Sequence, residues 1–254
     1  MKGLTPIFLH VPHASTNIPS EEWQYFITNN IAREIICMTD HYCDDLFRCE
    51  HEMISFEVNR LVCDVERFKD SKQEKMSEKG MGVVYSKCSD GTMLKNSTIE
   101  HDKYIIEKYY DSHHKLLESA VQTRLDKFDR CLIVDAHSFY ETPLAYEDKQ
   151  NSNRPDICLG SDEYHTSDKL IDYFTSEFQK RGYSVEINNP FSGSLVPNKF
   201  YCKDKRVQSI MIEINRGLYI DLFANRKEQY DKVKRNLYNI LMSSSLNAIV
   251  RNKI

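Results

Sequence analysis

Apolar and polar positions along the chain predict strands and helices that follow one another in alternation. Short apolar runs typical of buried strands are separated by stretches in which apolar residues recur at helical spacing. The clearest helix is predicted from about residue 98 to 127, where apolar pairs recur on one stripe. Further helices are predicted at about 20–39, 40–50, 167–181 and 226–243, and strands at 7–9, 53–58, 131–134, 157–159, 183–187 and 209–214.

This alternation is typical of an α/β fold. The 254 residues suit one domain with a sizeable core, and no linker or repeat divides them, so we expect a single domain over 1–254. The polar stretch 69–96 carries three glycines and predicts a long loop with a short hairpin through 82–85. Loops of this size in a compact domain are often functional.

The predicted strand at 131–134 is followed at once by the polar sequence Asp135-Ala136-His137-Ser138. Open α/β sheets bind ligands beyond the carboxyl ends of their strands, so these side chains are candidates for a site. The His137 imidazole is a natural metal ligand, and Asp135 or Ser138 could orient it. An ordinary buried histidine at a strand end would explain the same pattern.

A second pair of imidazoles, His10 and His13, follows the first predicted strand. Adjacent parallel strands would bring His13 close to His137, although nine histidines in the chain make chance pairs easy to find. Catalytic zinc sites usually have three protein ligands, drawn from histidine, aspartate and glutamate, and one open position. The third ligand could be Asp40, His41 or His10. A helix cap is the alternative role for Asp40.

One carboxylate and two arginines complete the candidate chemistry. Glu213 lies in the apolar run 209–214, where a buried carboxylate is costly unless a partner or a catalytic role justifies it. A general base beside a metal would be such a role, and a salt bridge to Arg216 is the alternative. Arg60 and Arg67 suit bidentate binding of a carboxylate, although ordinary surface pairing fits the same spacing.

The overall composition excludes several classes of function. A net charge of -4 and a pI near 6.2 argue against a dedicated nucleic-acid binder. No run approaches the ~18 apolar residues of a membrane span, and the N-terminus lacks a signal-peptide core. The eight cysteines form no Cys-x-x-Cys pair and suit reduced thiols, so we expect a cytoplasmic protein with a small-molecule partner. No pattern fixes the oligomeric state.

Taken in order, segments of the chain resemble the N-formylglutamate amidohydrolase family. Each segment is short, but together they follow the family's order over most of the chain. The turn-rich segment that ends at Gly193 also suits a close approach of backbone to a ligand. The matching segments are 11–14 (VPHA), 39–40 (TD), 59–67 (NRLVCDVER), 135–138 (DAHS), 155–156 (PD), 159–160 (LG), 190–193 (PFSG) and 212–213 (IE).

The resemblance implies a fold like that of the zinc carboxypeptidases, with a mixed, mostly parallel sheet flanked by helices. It also implies one zinc ion that assists cleavage of an amide C–N bond. The substrate implied is an N-acyl amino acid, typically N-formylglutamate, which yields glutamate and formate. Carried over residue by residue, the roles fall on the following positions. His13, Asp40 and His137 would hold the metal, with Asp40 preferred to His10, Glu213 would be the base, Asp135 would support a ligand, and Arg60, Arg67, Ser138 and Gly193 would bind substrate.

Two positions depart from the family pattern. The family usually has asparagine where Glu66 stands and a second glycine where Ser194 stands. Both changes fall in segments expected to bind substrate, so a related deacylase or carboxypeptidase acting on another N-acyl amino acid or small peptide is an alternative. A non-catalytic ligand-binding relative is a further alternative.

Overall fold

A six-stranded sheet organises the computed structural model, which describes residues 3–251. The strands are β1 Ile7–Val11, β2 Glu52–Ser55, β3 Cys131–Phe139, β4 Ile157–Gly160, β5 Val185–Ile187 and β6 Val207–Asn215. Their order in the sheet is β2-β1-β3-β6-β4-β5; β4 is antiparallel to β6, and the other neighbours are parallel. The sheet is therefore mixed and mostly parallel, as the family resemblance implies.

Helices cover both faces of this sheet, and alternate strand residues face opposite sides. The α-helices are α1 Ile31–Met38, α2 Cys43–Leu46, α3 Ile99–Ile105, α4 Asp111–Phe128, α5 Asp168–Gln179, α6 Tyr230–Leu241 and α7 Ser244–Arg251; a π-helical turn, Ile106–Tyr110, joins α3 to α4. Ile7 and Leu9 pack in one apolar cluster with helices α5 and α6, whereas Phe8 and Ile133 pack in another with α4. Among the described residues, no helix is long and apolar enough to cross a membrane.

The register of the central strands brings polar residues together at the carboxyl ends of β1, β3 and β6. His10 is paired with Asp135, and His137 is paired with Glu213. By the period-two rule these four residues share the face that carries Phe8 and α4. The strand β3 runs on to Phe139, beyond the predicted end at residue 134, because Asp135 and His137 are buried with hydrogen-bond partners.

The two predicted helices at 20–39 and 40–50 are wrong in extent. The first becomes a 3₁₀ turn, Ser20–Tyr25, and the separate helix α1, while the second shrinks to α2. Asp40 lies in the break between α1 and α2, where its backbone N–H donates to the carbonyl of His13 at 2.9 Å. This tertiary contact overrides the local helical pattern.

Gly160, at the end of β4, allows the loop 190–195 to pack closely on the sheet. A Cβ atom at this position would meet the backbone carbonyl of Gly193 and the side chain of Met211. We expect Gly160→Ala to displace the loop and lower the free energy of unfolding by about 1–3 kcal/mol. Chemical unfolding would measure this loss. Gly3→Ala, which has open space around the new methyl group, should have no effect, and equal losses in both variants would contradict the prediction.

Candidate active site

A cavity of about 540 Å3 opens at the carboxyl ends of β3 and β6, a size typical of small-ligand sites. Two of the alternative metal ligands do not line this cavity: His10 is fully buried in β1, and His41 lines a separate, much smaller pocket. The structure brings every residue predicted for the site to this one cavity. These lining residues are His13, Asp40, Arg60, Arg67, Asp135, His137, Ser138, Gly193 and Glu213.

His13 presents one free ring nitrogen to the cavity. Its Nε2 lies 2.9 Å from Asp64 Oδ1, and its buried Nδ1 has no hydrogen-bond partner within residues 3–251. Burial, and then the charge of Arg60, lowers the pKa of His13, so the ring is neutral. Since Nε2 donates its proton to Asp64, Nδ1 carries an unused lone pair, as a metal ligand requires.

His137 is surrounded by three carboxylates. Its Nδ1 is 3.1 Å from Asp40 Oδ2, and its Nε2 is 3.1 Å from Glu66 Oε1 and 3.2 Å from Asp135 Oδ1. Burial opposes a charge on the ring, but the charges of Glu66 and Asp135 raise the pKa of His137 well above its usual value. This concentration of negative charge attracts either a proton or a metal cation.

Asp40 is held in place by Arg216. Its Oδ1 accepts a hydrogen bond from Arg216 Nη2 at 2.7 Å, which leaves Oδ2 3.1 Å from His137 Nδ1 and 3.8 Å from His13 Nδ1. Burial would raise the pKa of Asp40, but the hydrogen bond with His137 and the charge of Arg216 hold it well below its usual value. Tyr42 occupies the N-cap position of α2, so Asp40 is not the cap of that helix.

Glu66 is a residue of the site that the sequence reasoning did not assign. Its Oε2 lies 3.8 Å from His13 Nδ1, and its Oε1 faces His137. One donor atom from each of His13, Glu66 and His137 lies within 4.8 Å of the others. The one signal in the sequence is the departure from the family's asparagine at this position, which by itself indicates a change in substrate binding and not a metal ligand.

Glu213 places an unpartnered carboxylate oxygen beside these groups. The residue is 8% exposed, and its buried Oε2 has no hydrogen-bond partner in the part of the chain described. Burial raises the pKa of Glu213 to about 8, with the charge of His137 opposing this rise and that of Asp40 adding to it. The alternative interpretation of Glu213, a salt bridge to Arg216, does not hold among residues 3–251, where Arg216 instead pairs with Asp40. A carboxylate tuned towards neutral pH is suited to proton transfer.

Two arginines share a single carboxylate at the cavity wall. Arg60 Nη2 donates to Asp64 Oδ2 at 2.7 Å, and Arg67 Nε lies 3.4 Å from the same oxygen. Tyr85 also donates its hydroxyl proton to this oxygen, at 2.6 Å. The two guanidinium groups carry one more positive charge than Asp64 neutralises, and this excess positive charge suits an anionic ligand.

Ser138 and Gly193 are occupied by contacts within the protein. Ser138 Oγ accepts a hydrogen bond from Arg216 Nε at 3.0 Å, and the backbone of Gly193, at φ 90°, packs against Gly160. Asp135 supports the neighbouring wall, because its Oδ2 accepts a hydrogen bond from the backbone N–H of Leu195 at 3.1 Å. These contacts shape the cavity, and a direct role for Ser138 and Gly193 in substrate binding stays a prediction.

Comparison with known proteins agrees with this architecture. A solved structure of N-formylglutamate amidohydrolase from Ralstonia eutropha JMP134 has a TM-score of 0.85 at 22% identity, covering 98% of this chain and 96% of that chain. A gene product of Agrobacterium tumefaciens has a TM-score of 0.63 at 16% identity, covering 96% of this chain and 92% of its own. No curated protein matches the sequence. The sequence model of N-formylglutamate amidohydrolase matches residues 5–220, so the chain belongs to the N-formylglutamate amidohydrolase family.

Proposed function

We propose that the protein is a zinc-dependent amidohydrolase that cleaves N-formylglutamate into glutamate and formate. Membership of the family supports the reaction class. The observation that carries the metal dependence is the buried Nδ1 of His13, which has no hydrogen-bond partner among the described residues and faces the carboxylates of Asp40 and Glu66. Glu213 Oε2 is likewise buried and has no hydrogen-bond partner among the described residues.

The residues fit a zinc ion. His13 Nδ1, His137 Nδ1 and Asp40 Oδ2 would hold it, and these are donor types that zinc prefers. The other nitrogen of each imidazole already faces a carboxylate, Asp64 for His13 and Asp135 for His137, as in most histidine ligands of metals. Arg216 anchors Asp40, whereas the ionic partners of Glu66 among the described residues are imidazoles, which favours Asp40 over Glu66 as the third ligand of this site.

Different side chains can then carry out different steps of hydrolysis. A bound zinc ion would polarise the amide carbonyl and would make water a better nucleophile. Glu213 Oε2 accepts the proton that water loses as its oxygen bonds to the formyl carbon, and it passes this proton to the leaving nitrogen as the C–N bond breaks. Arg60 and Arg67 bind the carboxylates of the substrate, which holds the formyl group in place for attack.

The cysteines support a cytoplasmic location, which is part of the proposal. All eight are free thiols, and seven of them are buried. Free thiols in this number suit a reducing compartment.

Removal of the metal is expected to abolish the hydrolysis of N-formylglutamate, measured as the release of formate. Added zinc should restore it, because the Glu213 carboxylate alone leaves the carbonyl unpolarised. A parallel panel of N-acetylglutamate, N-formylaspartate and small glutamyl peptides tests the substrate. Full activity of verified metal-free protein would contradict the metal dependence. Activity on another member of the panel alone would contradict the substrate, and no turnover at all would favour a ligand-binding role.

A further inference from the structure

A second group of potential ligands lies directly behind the proposed zinc site. His10 Nδ1 is 2.8 Å from Asp135 Oδ1 and 3.6 Å from Glu66 Oε1. One donor atom from each of these three residues lies within 4.8 Å of the others. For comparison, bonds of about 2.1 Å in a tetrahedral zinc site place neighbouring ligand atoms roughly 3.4 Å apart. The two distances from His10 Nδ1, 2.8 and 3.6 Å, lie on either side of this value.

We propose that His10, Glu66 and Asp135 form a second divalent-metal site next to the proposed zinc site. Glu66 Oε1 lies 3.6 Å from His10 Nδ1 and 3.1 Å from Nε2 of the neighbouring His137. One imidazole nitrogen with carboxylate oxygens is a donor set that suits zinc or manganese. The inference deepens the proposed function, on which it rests, by making the centre a two-metal centre.

The charges of the cluster favour a bound cation. Asp40 is paired with Arg216 and Asp64 with Arg60, whereas neither Glu66 nor Asp135 has a lysine or arginine partner in the described part of the chain. Their ionic partners are imidazoles alone. Buried carboxylates are costly without a cation to compensate them, and a divalent ion between Glu66 and Asp135 would supply that charge.

The surroundings also hold both ligands in orientation. His10 Nε2 lies 2.9 Å from His113 Nε2 on α4, which turns Nδ1 of His10 towards Asp135. The other oxygen of Asp135 is bound to the backbone N–H of Leu195, so Oδ1 faces His10. In metal sites, the ligand atoms that do not bind the metal are typically held by hydrogen bonds of this kind. A bound metal would replace the proton shared by His10 and Asp135.

Metal stoichiometry tests the second site. Metal-stripped protein is titrated with zinc by calorimetry, and the metal retained after gel filtration is counted by mass spectrometry. We expect two zinc ions per chain for the wild type and one for His10→Asn. His51→Asn is the matched control, because His51 is also buried but bonds Thr5 and the carbonyl of Leu241 outside the cavity; it should retain two.

Anomalous scattering from zinc-loaded wild-type crystals gives a second readout that needs no variant. Two peaks are expected, one of them between His10 and Asp135. A single zinc ion in the wild type, two ions in folded His10→Asn, or no peak at His10 would overturn the second site and leave the proposed function standing. A wild type that binds no zinc at all would overturn both proposals.

Discussion

Glu213→Gln is expected to lower kcat for N-formylglutamate hydrolysis by about 10²- to 10⁴-fold, the usual contribution of a general base. Glutamine has nearly the same shape as glutamate, but its amide cannot accept the proton that water must lose. The free oxygen of Glu213 lies in the cavity, and burial holds its pKa near 8, so the carboxylate is both placed and tuned for this transfer. Steady-state kinetics of formate release would measure the loss.

Metal content separates this role from a structural one. Glu213 is not among the proposed ligands, so the variant should retain as much zinc as the wild type. Glu34→Gln is a matched control, since Glu34 is buried but bonds the backbone and hydroxyl of Ser89 away from the cavity. It should change stability and leave kcat intact. A wild-type kcat in Glu213→Gln, or a loss of zinc together with activity, would contradict the role of base.

The sequence predicts the core of the site because strand patterns fix which residues share an edge. The apolar run 131–134 predicts that Asp135 and His137 follow a buried strand, and the run 7–9 predicts the same for His13. In the structure β1 and β3 are neighbours, so these ends meet. The parallel neighbour β6 then places Glu213 beside His137.

Tertiary contacts explain what the sequence could not predict. The pattern at 20–50 predicts a boundary between two helices at residues 39 and 40. It does not predict the contacts that fix Asp40 there, because these involve the His13 carbonyl and Arg216, which are distant in the chain. Glu66 is surrounded by His13 and His137, neither of which is near it in sequence. Spacing alone therefore reveals the histidines at strand ends but not the carboxylates that approach them from loops.

Arg216→Met is expected to lower the free energy of unfolding by about 3–5 kcal/mol, because it leaves a buried charge without its partner. Arg216 is 6% exposed and donates to Asp40 Oδ1, the Cys37 carbonyl and Ser138 Oγ. Methionine fills much of the same volume but offers no hydrogen bond. Chemical unfolding of metal-free protein would measure the loss without a contribution from bound zinc.

Arg124, a second buried arginine, is the control that distinguishes the loss of packing from the loss of a buried carboxylate's charge partner. Arg124 is 1% exposed, but its partner Glu52 has a side chain that is 51% exposed and stays hydrated when the pair is broken. Arg124→Met should therefore cost clearly less than Arg216→Met. Arg216→Lys should recover part of the loss, since lysine keeps the charge beside Asp40 but cannot reach all three acceptors. If both methionine variants lose the same stability, the charge of Asp40 is not what Arg216 holds in place, and the anchoring that favours Asp40 as a zinc ligand fails with it.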